Sequence, residues 1–329
     1  MAGLGPAIHE ERWEVSSASN SKLSGVDGRA KPGHDGAGVL TAITDPARPR
    51  IPGRTILVFA HPDDETLACG ALLPRLDDVL IVHVTDGAPR SGDDARRRGF
   101  DTPADYAAAR RRELAAAVAL AGLAEERLLS LDVADQGAAF ALSDIARRLA
   151  PLLEDADLVI THAYEGGHPD HDAVCWAVHA ALGLNDNAGS SAGTLSPRGR
   201  GQREGEPTSP DKSPRLARPA LVEVPLYRLG PDGGWLRQTF EEGGAVLRLT
   251  DDERALKGRM IAAHASQAGT LAGFGVADDP YRAAPAHDFG RLPNGGALLY
   301  ERYGWGLTGQ RWLDLAADAA RDLRLERAA

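Results

Sequence analysis

Short apolar runs rich in β-branched residues alternate along this chain with longer stretches of helical character. The clearest runs are Ile56-Leu57-Val58-Phe59-Ala60, Val79-Leu80-Ile81-Val82-His83-Val84-Thr85 and Leu158-Val159-Ile160-Thr161. Unbroken apolar runs of this length mark strands covered on both faces, as in a parallel sheet. The intervening segments predict a helix from Thr66 to about Leu76, a long helix over 103–122, a short strand at 127–131, and helices near 141–153 and 171–183. Tyr106 to Gly122 is rich in Ala, Arg, Glu and Leu, which favour helix, and ends on a glycine suited to a C-terminal stop. Further on, Ala220–Tyr227 reads as a strand, Asp232-Gly233-Gly234 as a hairpin turn, and Thr250-Asp251-Asp252-Glu253 as a capped helix start running to about His264. The alternation predicts an α/β fold: a Rossmann-like, doubly wound, mostly parallel sheet with helices on both faces, in a single domain.

Three regions depart from this rhythm. Residues 1–52 carry Gly, Ser, Pro and mixed charge without periodicity, the composition of a disordered N-terminal extension. The stretch Gly25–Gly36 resembles translated intergenic repeat sequence, so the folded part is expected to begin near Pro52. A second such stretch, about 185–218, interrupts the domain expected over 53–305 and reads as a flexible insertion, with a lid as the functional alternative. Ala297–Trp305 reads as a strand, and 306–329 as a closing amphipathic helix that packs on the body or on a partner.

Composition narrows the function classes. The 329 residues hold 37 Lys and Arg against 47 Asp and Glu, a net charge of −10 that argues against a nucleic-acid surface. With two cysteines, Cys69 and Cys175, no disulfide framework is implied, and a cytoplasmic location is expected. No apolar stretch approaches the roughly 20 residues of a membrane span.

The candidate chemistry sits at the ends of two of the runs. His61-Pro62-Asp63-Asp64-Glu65 follows the first and His168-Pro169-Asp170-His171 follows the third by a few residues. In a parallel sheet, ligands collect at the carboxyl edge of the strands, so the fold would bring the clusters together. Imidazoles and carboxylates without a cysteine quartet suit an open divalent-metal site: three protein ligands, one water, and other groups left to move protons. A lone His-x-x-Asp is usually a helix cap beside a core histidine; two such clusters at two strand ends favour a metal site.

The run into Ala60-His61-Pro62-Asp63-Asp64-Glu65, with the later His168-Pro169-Asp170-His171, resembles the LmbE-like (PIG-L) zinc-dependent de-N-acetylase family. The resemblance extends over roughly 54–305 without the insertion, supported more weakly by Thr85-Asp86-Gly87, by Arg110 with Glu113, and by Lys257 followed by His264-Ala265-Ser266-Gln267. It implies that His61, Asp64 and His171 bind the metal, that Asp63 is the general base, that His168 is the protonated partner of the oxyanion or leaving amine, and that Asp170 orients a histidine. The metal would be Zn²⁺, with Fe²⁺ or Mn²⁺ also suited to His/Asp ligation. The reaction would release acetate from an N-acetylated amino sugar or its conjugate, lipid-linked conjugates included, in a protein able to form homo-oligomers. Rival readings are an amidase acting on a thiol-sugar conjugate or other amide, and a non-catalytic carbohydrate-binding protein.

Asp86, Arg110 and Asp135 are candidates for substrate contacts, against the plainer readings of turn formation for the aspartates and a solvated helix face for the arginine. His83 and His162 read as core histidines within or at the end of strands, and His264 as a packing residue or subunit contact at least as readily as a member of the site. Cys175 follows His171 by four residues, a spacing that can hold zinc, although a lone helical cysteine is more often a small buried apolar residue.

Overall fold

The computed structural model describes residues 36–192 and 218–325. In chain order the elements are α1 (Gly36–Thr44), β1 (Ile51–Phe59), α2 (Asp64–Cys69), β2 (Leu76–Pro89), α3 (Asp93–Arg97), α4 (Pro103–Leu120), β3 (Leu128–Asp135), α5 (Leu142–Leu153), β4 (Leu158–His162) and α6 (Pro169–Ala192). After the undescribed stretch come β5 (Ala220–Val224), β6 (Tyr227–Leu229), β7 (Trp235–Arg237), β8 (Ala245–Leu247), α7 (Asp251–Ala263), α8 (Ala268–Leu271), β9 (Asp279–Ala283), α9 (Leu299–Arg302) and α10 (Gly309–Asp322).

The main sheet runs β3-β2-β1-β4-β5-β9-β8. Its first five strands are parallel and the last two antiparallel. This is the doubly wound sheet that the alternation predicts. Strand β1 shows why its apolar run is unbroken: Ile56 and Val58 face one core with α5, α6 and α10, whereas Leu57 and Phe59 face the other with α2, α4 and α7. All four side chains are fully buried. Strands β6 and β7 pair antiparallel across the expected hairpin turn, where Gly233 takes a φ of 82°. Thr250 caps α7 in a reciprocal capping box with Glu253.

Four expectations need correction. Gly36–Thr44, placed by its composition in a disordered extension, is helical: Ile43 is buried, and Arg75 donates to the carbonyls of Ile43 at 2.8 Å and Ala42 at 2.7 Å. The helix expected from Thr66 to Leu76 stops at Cys69, because its last turn gives way to a separate 3-10 turn at Leu73–Arg75 with Pro74 inside it. The helix expected to end near 183 runs on to Ala192, into the predicted insertion, of which 193–217 lies outside the described residues. Ala297–Trp305 contains a helical turn, α9, in place of a strand; Leu298, Leu299 and Tyr300 are all buried, a pattern that does not discriminate between the two in so short a run.

Helix α10 joins the core with α5 and α6 rather than standing apart. Trp312 is fully buried and its indole donates to the Tyr164 hydroxyl at 2.6 Å. Among the described residues no helix is long and apolar enough to cross a membrane.

Candidate metal centre

Strands β1 and β4 are parallel neighbours, with Leu57 opposite Ile160 and Val58 opposite Thr161. The two clusters therefore leave the sheet side by side at its carboxyl edge. The chain order reverses there, since β1 has β2 on one side and β4 on the other, the crevice where doubly wound sheets bind ligands. After β1 the chain turns at once into α2; after β4 a short loop carries His168 to the start of α6, whose first residue is Pro169, a favoured first helical position.

Three donor atoms meet at this point. His61 Nδ1 lies 3.3 Å from Asp64 Oδ2 and 3.3 Å from His171 Nε2, and His171 Nε2 lies 3.6 Å from Asp64 Oδ2. Ligands about 2.0–2.1 Å from a tetrahedral Zn²⁺ stand roughly 3.3 Å apart, so the triangle matches one face of such a site. All three residues are buried. Burial opposes charge on His61, but Asp135, Asp170 and Asp64 outweigh it and hold this imidazole well above its usual pKa. The surroundings thus favour positive charge at the centre of the cluster.

The neighbouring groups fix the triangle. Asp170, fully buried, accepts from the backbone N–H of Gln136 at 2.6 Å and of Ala138 at 3.0 Å, and its Oδ2 stands 3.3 Å from His61 Nε2. Asp135 Oδ1 approaches the same nitrogen at 3.2 Å, so the far side of the His61 ring is held by two carboxylates. His162, a core histidine by its place at a strand end, belongs to this cluster: its ring stacks on His171 at 4.0 Å and 7°, and its Nε2 lies 3.4 Å from Asp64. That nitrogen accepts the N–H of Ala60 at 2.9 Å, so His162 is fitted to support the site rather than to ligate. Beneath α2, Glu65 meets His83 at 2.9 Å and accepts the N–H of Asp63 at 3.1 Å, while His264 reaches Thr66 at 3.2 Å. His264 is therefore a packing residue of the site's floor.

Asp63 caps α2 with a φ of 140°, in the region that favours glycine. Its carboxylate accepts from Arg110 at 2.9 Å; burial pushes it up to about 7 against the opposing pull of Arg110. His168 lies with His61 and His171 so that one nitrogen from each falls within 4.8 Å of the others. Its Nδ1 accepts the N–H of Asp170 at 3.1 Å, which leaves Nε2 to face the cluster. Burial and the neighbouring His61 push His168 down to about 4, so it rests neutral and must gain a proton before donating one.

Arg110, Asp135 and Asp86, the candidates for substrate contacts, are each engaged by neighbouring groups. Arg110 is 4% exposed and its guanidinium donates to Asp63, to the Pro62 carbonyl at 2.9 Å and to the Gly87 carbonyl. It anchors the Asp63 carboxylate and the adjoining turns through its two terminal nitrogens, while its buried Nε has no hydrogen-bond partner among the described residues. Asp135 stands inside the cluster against His61 and His168. Asp86 caps the N–H of Ala88 at 3.0 Å and pairs with Arg90 at 2.7 Å, the turn-forming reading.

The fold has distant likenesses among solved structures. A deacetylase from the biosynthesis of teicoplanin shares 18% identity over 67% of this chain and 87% of its own, with a TM-score of 0.47. The N,N'-diacetylchitobiose deacetylase of Pyrococcus horikoshii shares 16% over 71% and 84%, at 0.48. A 4-carboxy-2-hydroxymuconate hydratase of Pseudomonas putida shares 15% over 72% and 98%, at 0.42. No curated protein matches the chain. Residues 56–182, from the core of β1 to the body of α6 and so spanning both clusters, match the PIG-L family model, described as GlcNAc-PI de-N-acetylase.

Proposed function

We propose that the protein is a metal-dependent amide hydrolase that removes the acetyl group from an N-acetylated amino sugar or its conjugate. The observation that carries the reading is the triangle of His61, Asp64 and His171 donors with the Asp63 carboxylate beside it on Arg110. A divalent ion held by that triangle would polarise an amide carbonyl and acidify a water, as zinc hydrolases do. Zn²⁺ suits the donor set and its spacing.

The chain's own groups supply the rest. Asp63, held by Arg110, takes the proton of the attacking water. His168 faces the same point through Nε2; it receives a proton and passes it to the departing nitrogen, which leaves as a free amine beside acetate. Asp170 and Asp135 hold His61 so that its Nδ1 stays directed at the centre.

The test is acetate release by the zinc-loaded protein from N-acetylglucosamine, its phospholipid-linked conjugates and its thiol conjugates. Acetate from at least one, abolished by Asp63→Asn with metal retained, is expected. Binding of these sugars without any acetate from wild-type protein would overturn the hydrolase reading in favour of a carbohydrate-binding one.

A further inference from the structure

Helix α6 carries a second set of donors beyond the first site. Cys175 follows His171 by four residues, about 6 Å further along the helix axis, and His179 follows Cys175 by the same step, which puts their side chains on one face. Glu223 on β5 and His287, in the segment after β9, close the group. One donor atom from each of the four residues lies within 4.8 Å of every other.

The separations are those of a coordination shell. Cys175 Sγ stands 3.6 Å from Glu223 Oε1, and His179 Nε2 stands 3.5 Å from the same oxygen. With sulfur at about 2.3 Å and oxygen or nitrogen at about 2.0 Å from a tetrahedral ion, neighbouring donors stand roughly 3.3–3.5 Å apart. His287 Nε2 bonds to Glu223 Oε1 as well, so three side chains converge on one carboxylate oxygen. Cys175 and Glu223 are fully buried, and the buried Nε2 of His179 has no hydrogen-bond partner. The other oxygen of Glu223 is held by Arg282 at 2.8 Å, which fixes the carboxylate's direction.

We propose that Cys175, His179, Glu223 and His287 form a second, four-ligand metal site for Zn²⁺, structural in character. A thiolate and a carboxylate balance the charge of the ion, and two neutral imidazoles complete a closed tetrahedron without a place for water. Metal entry displaces the Cys175 thiol proton to solvent, and the two imidazoles bind through nitrogens that carry no proton. The site would clamp α6, on which His168 and His171 depend, to β5 and to the segment after β9.

The test uses the full chain, stripped of metal and reloaded with Zn²⁺ or Co²⁺ under reducing conditions. Elemental analysis should find two equivalents of Zn²⁺ per chain, falling to one in Cys175→Ala or His287→Ala. Cobalt should give a thiolate-to-metal charge-transfer band in the near ultraviolet, since the first site contains no sulfur. The band should survive His61→Ala and Cys69→Ala and disappear in Cys175→Ala. A single equivalent in wild type without the thiolate band, absence of the band at full cobalt loading, or a band that persists in His287→Ala would each overturn the proposal. The wild-type readings decide it even if a variant does not fold.

Discussion

Asp63 and Arg110 meet at 2.9 Å although 47 residues separate them, and both are almost wholly buried at the mouth of α2. The guanidinium also grips the carbonyls of Pro62 and Gly87 and so locks the turn that presents the carboxylate. Asp63→Asn is expected to lower kcat about 10²- to 10⁴-fold, the usual contribution of a positioned base, with metal content unchanged. Arg110→Lys, which loses the planar fork, should also lower kcat with metal retained. Steady-state kinetics beside elemental analysis checks both, and full activity in Asp63→Asn would remove the base assignment.

His61→Ala, Asp64→Ala and His171→Ala should each abolish tight metal binding at the first site. His162→Ala should behave differently: its Nε2 already accepts from Ala60, so its loss should weaken affinity about 10- to 100-fold, as for groups that orient ligands. Competition against a chromophoric chelator separates these outcomes. Loss of binding in His162→Ala equal to that in His171→Ala would make His162 a ligand.

Glu165 lies buried and accepts from the backbone N–H groups of Leu226 at 2.7 Å and Tyr227 at 3.1 Å. Burial pushes it up to about 8 despite those bonds. Its folded pKa thus exceeds its unfolded one, and the native state holds the extra proton. The stabilisation is complete below about 4.3, the unfolded carboxyl range, and is lost as pH rises toward 8. Denaturant unfolding of wild type and Glu165→Gln from pH 4 to pH 9 should show their stability difference shifting in favour of the variant as pH rises. A difference independent of pH would refute it.

Lys257 and Asp279 form an ion pair buried at 0% and 1% exposure between α7 and β9. Lys257→Met strands the Asp279 carboxyl and should cost about 3–5 kcal/mol; the double variant with Asp279→Leu should recover most of that loss. Urea denaturation of the four proteins in the cycle measures it, and an additive double variant would contradict the coupling.

Most of the sheet and the heart of the site were legible because both rest on local patterns. The unbroken runs at 56–60 and 158–161 mark buried strands, and His61-x-x-Asp64 and His168-x-x-His171 are short-range spacings at their ends. What escaped reading depends on contacts distant in sequence. Arg110 looks like one arginine of a solvated row until the fold turns it onto Asp63. His162 ends a strand, and only the approach of α6 lays it on His171. Asp279-Pro280-Tyr281-Arg282-Ala283 has no alternation, yet it pairs with both β5 and β8. Gly36–Thr44 looked unable to bury surface because its partner, Arg75, lies some thirty residues on.

The positive φ of Asp63 bears on how this pair can be replaced. A glycine there would relax the backbone, but it would leave the Arg110 guanidinium buried with carbonyls and with Asp135 at 4.0 Å. Losing Arg110 first would instead strand the Asp63 carboxylate on a strained backbone. Each single step passes through a destabilised protein, and only a double replacement escapes. The pair is therefore epistatic: neither side chain can be replaced alone without leaving the other's buried charge unmatched.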